Sequence, residues 1–473
     1  MMSGRDRKRI AVIGGGPVGS LQACFLAKKG FQVDLYESRE DIRKAEVVKG
    51  RSINLALSVR GRTALKHIGV EEKVVSEGVR MDARQIHTPD GKLYSIQYGK
   101  NGQYLLSVDR RKLNETILTA AEKLDVGLHF HHKISRCDLQ TGEMVFQGPD
   151  GQEVTAKADL IFGCDGAFST VRRQMMRSIR FDYSQTYIPH GYMELTIPPK
   201  NGEFAMDVNF LHIWPRNEFM MIALPNADKS FTCTLFMPFD IFESLKTEED
   251  IMKFWHENYA DSIPLIGEEN IKQTLLNTKA LPMISIKCSP YHHENSCVIM
   301  GDAAHAMVPF YGQGMNCGLE DCIVFNELMD KYNDDFPLVL PEYTKIRNPD
   351  AKAMCDLAMY NYIEMRASVN SSWFLFRKKV DNLLHWLMPS RFIPLYTMVT
   401  FSRIRYHVVI KKWQSQDKLV NSALFAMMGA SALGVSYMAA RKATFYLNGH
   451  LSLQGLTVAL AGARDFFSKS LGN

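Results

Sequence analysis

The sequence has no C-x-x-C pair. Its nine cysteines (Cys24, Cys137, Cys164, Cys233, Cys288, Cys297, Cys317, Cys322 and Cys355) are odd in number and scattered. That excludes a redox dithiol and a zinc ribbon, and it points to a reducing compartment. Cys317 and Cys322 fall off the i, i+4 helical spacing and read as packing thiols. Acidic residues are nearly missing from the C-terminal end. Residues 377–473 hold 13 Lys or Arg and 3 Asp or Glu, a net +10, while residues 1–376 carry −5. An acidic body with a basic tail excludes a nucleic-acid-binding core and suggests that the tail meets an anionic surface such as lipid. Internal repeats and low-complexity linkers are also missing. The stretch Met1–Arg9 is polar, so no secretory leader is expected. What remains is a chain of 473 residues, 46% hydrophobic and 23% charged, with the composition of a globular protein. Its length suits about two to three domains.

Three glycine-bearing motifs stand out. Ile10–Ile13 reads as a β-branched strand, followed by Gly14-Gly15-Gly16-Pro17-Val18-Gly19 and a helix over Ser20–Lys29 that Gly30 ends. In this G-x-G-x-x-G, Gly14 permits a tight turn, Gly16 lets the backbone approach a pyrophosphate, and Gly19 lets helix and strand pack closely. The helix N-terminus offers N–H groups to an anion. Glu37 ends the next strand, about 20 residues on, where an acid accepts ribose hydroxyls. The second motif is the apolar strand Asp159–Cys164 running into Asp165-Gly166, then Ser169 to Arg172. The third is Met300-Gly301-Asp302-Ala303-Ala304-His305, followed by Pro309-Phe310-Tyr311-Gly312-Gln313-Gly314-Met315-Asn316 and a long helix over Met315–Tyr332. Asp302 is a candidate for a ligand hydroxyl and the loop for an anion. His305 reads as a hydrogen-bonded structural histidine rather than a base.

Between these motifs the pattern changes. Tyr187–Ile197, Phe204–Trp214, Glu218–Leu224 and Lys229–Met237 read as strands of an antiparallel meander, with a helix over Glu248–Tyr259 after it. Ser296–Met300 reads as a strand that returns the chain to the first domain. Near the end, Leu419–Ala440 is 22 residues without a charge, between Lys418 and Arg441. At ~1.5 Å per residue it is long enough to cross a hydrocarbon core of ~30 Å. Phe392–Ser402 is apolar but short, so it either lies in a membrane surface or packs on the body.

Taken together and in this order, the motifs resemble the FAD-binding aromatic hydroxylases, the single-component flavoprotein monooxygenases, over about residues 8–370. Arg110, in Arg110-Arg111-Lys112-Leu113, and the stretch Gly50-Arg51-Ser52-Ile53-Asn54-Leu55-Ala56-Leu57-Ser58 extend the resemblance. It implies FAD held by Gly14, Gly16, Val18, Gly19, Glu37, Arg39, Ala56, Arg110, Thr170, Asp302, Gly314, Met315 and Asn316. It implies an aromatic amino-acid substrate whose carboxylate is held by Arg84 and Tyr98, with Asn361 and Tyr396 completing the contacts. Phe310, Tyr311 and Gln313 would line the reacting face. By themselves, Arg84 reads as a surface charge and the two tyrosines as packing aromatics. The resemblance further implies NADPH and O2 as co-substrates and a flavin C4a-hydroperoxide that attacks the ring. No metal is expected, and no acid or base is assigned. The residues contain no second strand–G-x-G-x-x-G–helix unit, so NADPH has no Rossmann domain of its own.

The expected fold is α/β. A Rossmann-type FAD-binding domain takes 1–185, with early substrate-site segments near 50–110, and an antiparallel-sheet substrate domain takes 186–290. The FAD-binding domain returns with long helices over 291–376. A basic apolar helical region over 377–473 carries a membrane anchor at 419–440. The expected location is the mitochondrial outer membrane, with the body facing the cytosol. Two other readings stay open at this point. One is a membrane-associated FAD monooxygenase of a lipid or quinone precursor, and the other is a non-catalytic scaffold stabilised by FAD.

Overall fold

The computed structural model describes residues 8–46, 54–98, 102–366, 372–389 and 391–470. The Gly50–Ile53 part of the Gly50–Ser58 stretch lies outside them. By contacts the chain divides into one compact unit over Met1–Ile410 and a second over Lys411–Asn473.

The first sheet grows from the βαβ opening. Strand Arg9–Ile13 pairs in parallel with Gln32–Tyr36 on one side and Leu160–Gly163 on the other. Gly127–His129 and Cys297–Ile299 extend it in parallel, and His292–His293 adds an antiparallel edge. Ile10, Ala11, Val12, Leu160, Ile161 and Phe162 are all buried, as continuous apolar runs in a two-sided parallel sheet must be. Helix Pro17–Lys28 covers it, with Leu21, Phe25 and Leu26 in the core. In register, Ile13 lies beside both Tyr36 and Gly163. The loops at Gly14, Glu37, Asp165 and Gly301 therefore emerge at one edge, the carboxyl ends of the strands, where such sheets bind ligands.

The second sheet has seven strands in the order Leu281–Ser289, Asp182–Ile197, Phe231–Pro238, Phe219–Pro225, Phe210–Arg216, Ala83–His87, Leu93–Gln97. It is not a pure antiparallel meander of contiguous sequence. Phe210–Arg216 runs parallel to Ala83–His87, so a segment from early in the chain completes it. Strict alternation gives it two faces. Met193, Leu195, Trp214, Met221, Cys233 and Leu235 pack with Ile251, Trp255 and Ile271 of helices Glu248–Asn258 and Glu268–Asn277. A capping box between Thr247 and Asp250 starts the first of these helices. The other face carries Tyr192, Glu194, Leu211, Met220, Ile222, Leu224, Thr234 and Phe236 and borders a cavity.

The segment Phe392–Ser402 packs on the body. It forms a short helix over Leu395–Thr400, in which Met398, Val399 and Thr400 are buried. Leu419–Ala440 is part of one long helix, Tyr406–Ser470, rather than a separate span. Within it Tyr406–Thr444 is long and apolar enough to cross a membrane. Leu419, Phe425, Met428, Leu433, Val435 and Met438 are all exposed, which suits association with a membrane.

Candidate active site

A cavity of about 820 Å³ is lined by the strand ends of the first sheet and by the mainly apolar second face of the second sheet. It falls in the upper part of the ~300–1,000 Å³ range of ligand sites. At one end, the first glycine loop behaves as its spacing implies. Gly14 has φ +107°, and a Cβ there would sit 2.3 Å from the Cys164 carbonyl oxygen. A Cβ on Gly19 would lie 2.0 Å from the Gly14 oxygen, so helix and strand touch through hydrogen only. A Cβ on Gly16 would meet no protein atom within 4 Å. Gly16 lines the cavity, and nothing in the surrounding fold crowds a side chain out of that position. Helix Pro17–Lys28 begins at Gly16 with no side-chain cap, which leaves its N-terminal N–H groups for an anion.

Glu37 stands beside this loop. Its Oε2 accepts the Gly15 N–H at 2.7 Å and its Oε1 accepts the Arg39 N–H and Nε–H. Burial opposes its charge, but these donors win and hold the carboxyl below its ordinary range. Asp165 is the reverse case. Its Oδ2 accepts the Thr170 and Val171 N–H groups, its Oδ1 is buried with no protein partner, and burial pushes its pKa up. Val18, Arg39, Ala56, Arg110, Thr170, Asp302, Gly314 and Met315 also line the cavity. Asp109 caps helix Arg110–Glu122 and so fixes Arg110 at its start. A dinucleotide with an anionic middle fits this donor set and the Gly16 opening.

Aromatic residues close the other end. Arg84 is buried, and its guanidinium lies 4.2 Å from the Tyr396 ring centroid. Its Nε has no hydrogen-bond partner, and the nearest ion-pair oxygen is Glu364 Oε1 at 4.0 Å. Tyr396 is sandwiched between Tyr311 and Tyr98, at 5.5 and 5.6 Å. Phe310 stacks on Tyr362 at 3.7 Å and meets Phe236 edge-on.

Some predicted residues support the cavity without lining it. Gln313 turns its Oε1 to the Tyr406 hydroxyl at 3.3 Å. Asn361 donates to the Phe310 carbonyl at 2.8 Å. The Asn316 side chain donates to the Ala56 and Gly312 carbonyls and accepts the Ser58 N–H, so only its backbone can serve a ligand. Gly19 packs the helix, and Tyr98 stands behind Tyr396. Arg84 is not a surface charge. Of these five, Gln313, Asn316 and Asn361 turn their side chains to protein partners, Gly19 has no side chain to turn, and Tyr98 stacks on Tyr396. His305 is buried and bonds Asp321 at 2.7 Å. Together with Cys317 these two form a tight buried group, but Asp321 is also held by Arg347 at 2.7 Å. Glu194 was missed. Only the alternation Tyr192-x-Glu194 along one strand face could have pointed to it.

Comparison with known proteins agrees with this geometry. Residues 7–358 match a family described as an FAD binding domain. A kynurenine 3-monooxygenase of Sus scrofa is 59% identical over 434 residues, covering 92% of each chain. One of Caenorhabditis elegans is 47% identical over 447 residues, covering 89% of this chain and 97% of that one. This chain belongs to the kynurenine 3-monooxygenase family. It is an FAD-dependent monooxygenase by fold and family. Solved structures share the fold at low identity. The tetrameric form of 2-methyl-3-hydroxypyridine-5-carboxylic acid oxygenase aligns with TM-score 0.64 at 18% identity, over 78% of this chain and 95% of that one. A p-nitrophenol 4-monooxygenase of Pseudomonas putida DLL-E4 aligns with TM-score 0.61 at 19% identity, over 76% and 89%. FAD is thus the cofactor of this family, and the donor set at the glycine-loop end of the cavity fits it.

Proposed function

We propose that the protein hydroxylates L-kynurenine to 3-hydroxykynurenine, using NADPH and O2, at the aromatic end of the cavity. The observation that carries this reading is Arg84, a buried guanidinium that lines the cavity among stacked tyrosines, its Nε without a hydrogen-bond partner. A buried cation left so placed suits a carboxylate, which guanidinium grips in a planar fork. Its relatives' name supplies the amino acid.

FAD bound along Gly14–Val18, Glu37, Arg110, Asp302 and the Gly314–Met315 turn supplies the redox chemistry that activates oxygen with electrons from NADPH. The chain's own residues bind, orient and exclude water. Arg84 and Tyr396 hold the amino-acid end. Leu211, Met220, Ile222, Leu224 and Phe236 form an apolar wall for the ring. Phe310, pinned by Asn361 and by Tyr362, caps it. A dry wall protects the activated oxygen from wasteful release as peroxide. Helix Gly314–Lys331 starts with no side-chain cap, so its first N–H groups and dipole favour negative charge on the reduced cofactor. The ring's own amino group pushes electrons toward the attacked carbon, so no protein nucleophile is required.

The exposed apolar stretch of Tyr406–Ser470 with its basic flanks supports a place in the mitochondrial outer membrane with the body in the cytosol. The test is product analysis with purified FAD-loaded protein. L-kynurenine should stimulate NADPH oxidation and yield 3-hydroxykynurenine. Turnover of a quinone precursor with no response to kynurenine would favour a lipid substrate. Bound FAD without substrate-stimulated NADPH oxidation would favour a scaffold.

A further inference from the structure

Arg60 is the second residue of helix Val59–His67, directly after the cavity-lining strand Asn54–Leu57. Its side chain is 0% exposed, in a place where a lone charge would be very costly. Four partners from three distant segments satisfy it. Its NH1 meets both oxygens of Glu320 at 2.8 Å, on helix Gly314–Lys331. Its Nε donates to the Val399 carbonyl at 2.9 Å and its NH2 to the Ile404 carbonyl at 2.5 Å. The Tyr406 ring lies under it at 3.9 Å.

These carbonyls are the significant contacts. Val399 sits on the six-residue helix Leu395–Thr400, one turn after Tyr396. A helix this short does not hold itself in water, so its place comes from tertiary contacts. Its terminal carbonyls lack helical partners, and Arg60 supplies a donor to one of them. Glu320 belongs to the helix whose first turn faces the cavity, and it is also held by Arg347 at 3.4 Å. The next residue, Asp321, accepts the Gly301 N–H at 2.9 Å, beside Asp302. One guanidinium therefore joins the cofactor end of the cavity to the segment that carries Tyr396.

We propose that Arg60 is a positioning residue: it sets Tyr396 against Arg84 by clasping the backbone after Tyr396 onto the cofactor-facing helix. This rests on the reading that Tyr396 contacts substrate. A lysine at position 60 keeps the pair with Glu320, but its single ammonium cannot serve a carboxylate and two divergent carbonyls in the same way.

The test uses full-length, detergent-solubilised, FAD-loaded enzyme. Arg60→Met and Arg60→Lys are compared with Tyr396→Ala and with the double variant Arg60→Lys/Tyr396→Ala. The expected result is a KM for L-kynurenine raised about tenfold in Arg60→Met and less in Arg60→Lys. FAD per chain and the KM for NADPH should stay unchanged. The product formed per NADPH should fall. In the double variant the KM should not exceed that of Tyr396→Ala alone, because the two changes act through one contact. If Arg60→Met does not fold, Arg60→Lys and the double variant decide. An unchanged substrate KM in Arg60→Lys and in any folded Arg60→Met, with Tyr396→Ala raised, would overturn the inference alone. Additive effects in the double variant would overturn it as well. An unchanged KM in Tyr396→Ala would refute the substrate role of Tyr396 itself, and the inference with it.

Discussion

Replacing Arg84 by methionine should weaken L-kynurenine binding far more than it weakens the fold. The side chain is 5% exposed, so its contact with a carboxylate is made out of water, where a bidentate charge-assisted pair is strong. Losing it is expected to cost about 2–4 kcal/mol, or roughly 30- to 1000-fold in Kd. The fold has less to lose. Glu364, the acid nearest Arg84, also lies 3.6 Å from Lys378, so its carboxylate keeps a cation after the change. The stacked contact with Tyr396 at 4.2 Å disappears, at about 1–2 kcal/mol. The assay is titration of the oxidised holoenzyme with L-kynurenine, followed through flavin absorbance, beside a thermal midpoint and the KM for NADPH. Arg84→Lys should recover part of the affinity but not all of it, since an ammonium is a point charge. A Kd unchanged in a folded, flavin-loaded Arg84→Met protein would remove Arg84 from the substrate site.

Glycine substitutions should separate ligand from fold. Gly16→Val enters space that holds no protein atom within 4 Å, so the protein should stay folded and purify without FAD, whereas Gly19→Ala places a methyl 2.0 Å from a backbone oxygen and should destabilise the chain itself. Full flavin content in Gly16→Val would refute the assignment of the first loop. Burial lifts the Glu194 carboxyl from 4.5 to about 7. The folded state then holds a proton that the unfolded chain has released, so stability falls as pH rises from 4.5 to about 7. Glu194→Gln should flatten that part of the profile of thermal midpoint against pH, and an unaltered slope would contradict the burial argument. Removing residues 419–473 should release the protein from membranes, and extraction of the full-length chain by alkaline carbonate would count against a spanning helix. A chain ending at Arg377 lacks Tyr396 and should lose hydroxylation, as read by product formation.

The parts of this fold legible in the sequence are those whose signals are local. Gly14, Gly16, Gly19 and Glu37 lie in one βαβ unit, and the turn, the close packing and the acid each need a fixed residue type at a fixed offset. Four of the seven strands of the second sheet are legible by composition, but Ala83–His87, Leu93–Gln97 and Leu281–Ser289 are not, nor is the pairing. Arg84 reaches the cavity because Ala83–His87 lies in parallel beside Phe210–Arg216, and no local pattern announces a partner so far along the chain. The same limit hid Arg60. In sequence it is one arginine on a helix, and its burial follows only from the meeting of three remote segments. Gln313 and Asn361 show a subtler limit. Their loop and helix do border the site, but the side chains bond Tyr406 and the Phe310 carbonyl instead of facing the cavity.

The two sheets serve the cavity by different physical means. The first presents strand ends and helix starts, so what faces the ligand there is mainly backbone: N–H groups at Gly16 and Gly314, and turns that only glycine fits. The second presents a face, so what faces the ligand is side chains set by alternation. On the proposed reading, cofactor binding depends on these backbone donors and on the bare Gly16 position, and substrate shape depends on the volumes of Met220, Ile222, Leu224 and Phe236. A change such as Ile222→Ala removes apolar wall without touching a strand end, and its effect should fall on the ring of the substrate and on water exclusion rather than on flavin content. The segment bearing Tyr396 belongs to neither sheet. Besides the contacts of Tyr396 with Tyr98, Tyr311 and Arg84, it is tied to the cofactor-facing helix by the buried ion pair of Arg60 and Glu320, which on the proposed reading links holding the cofactor to gripping the amino acid.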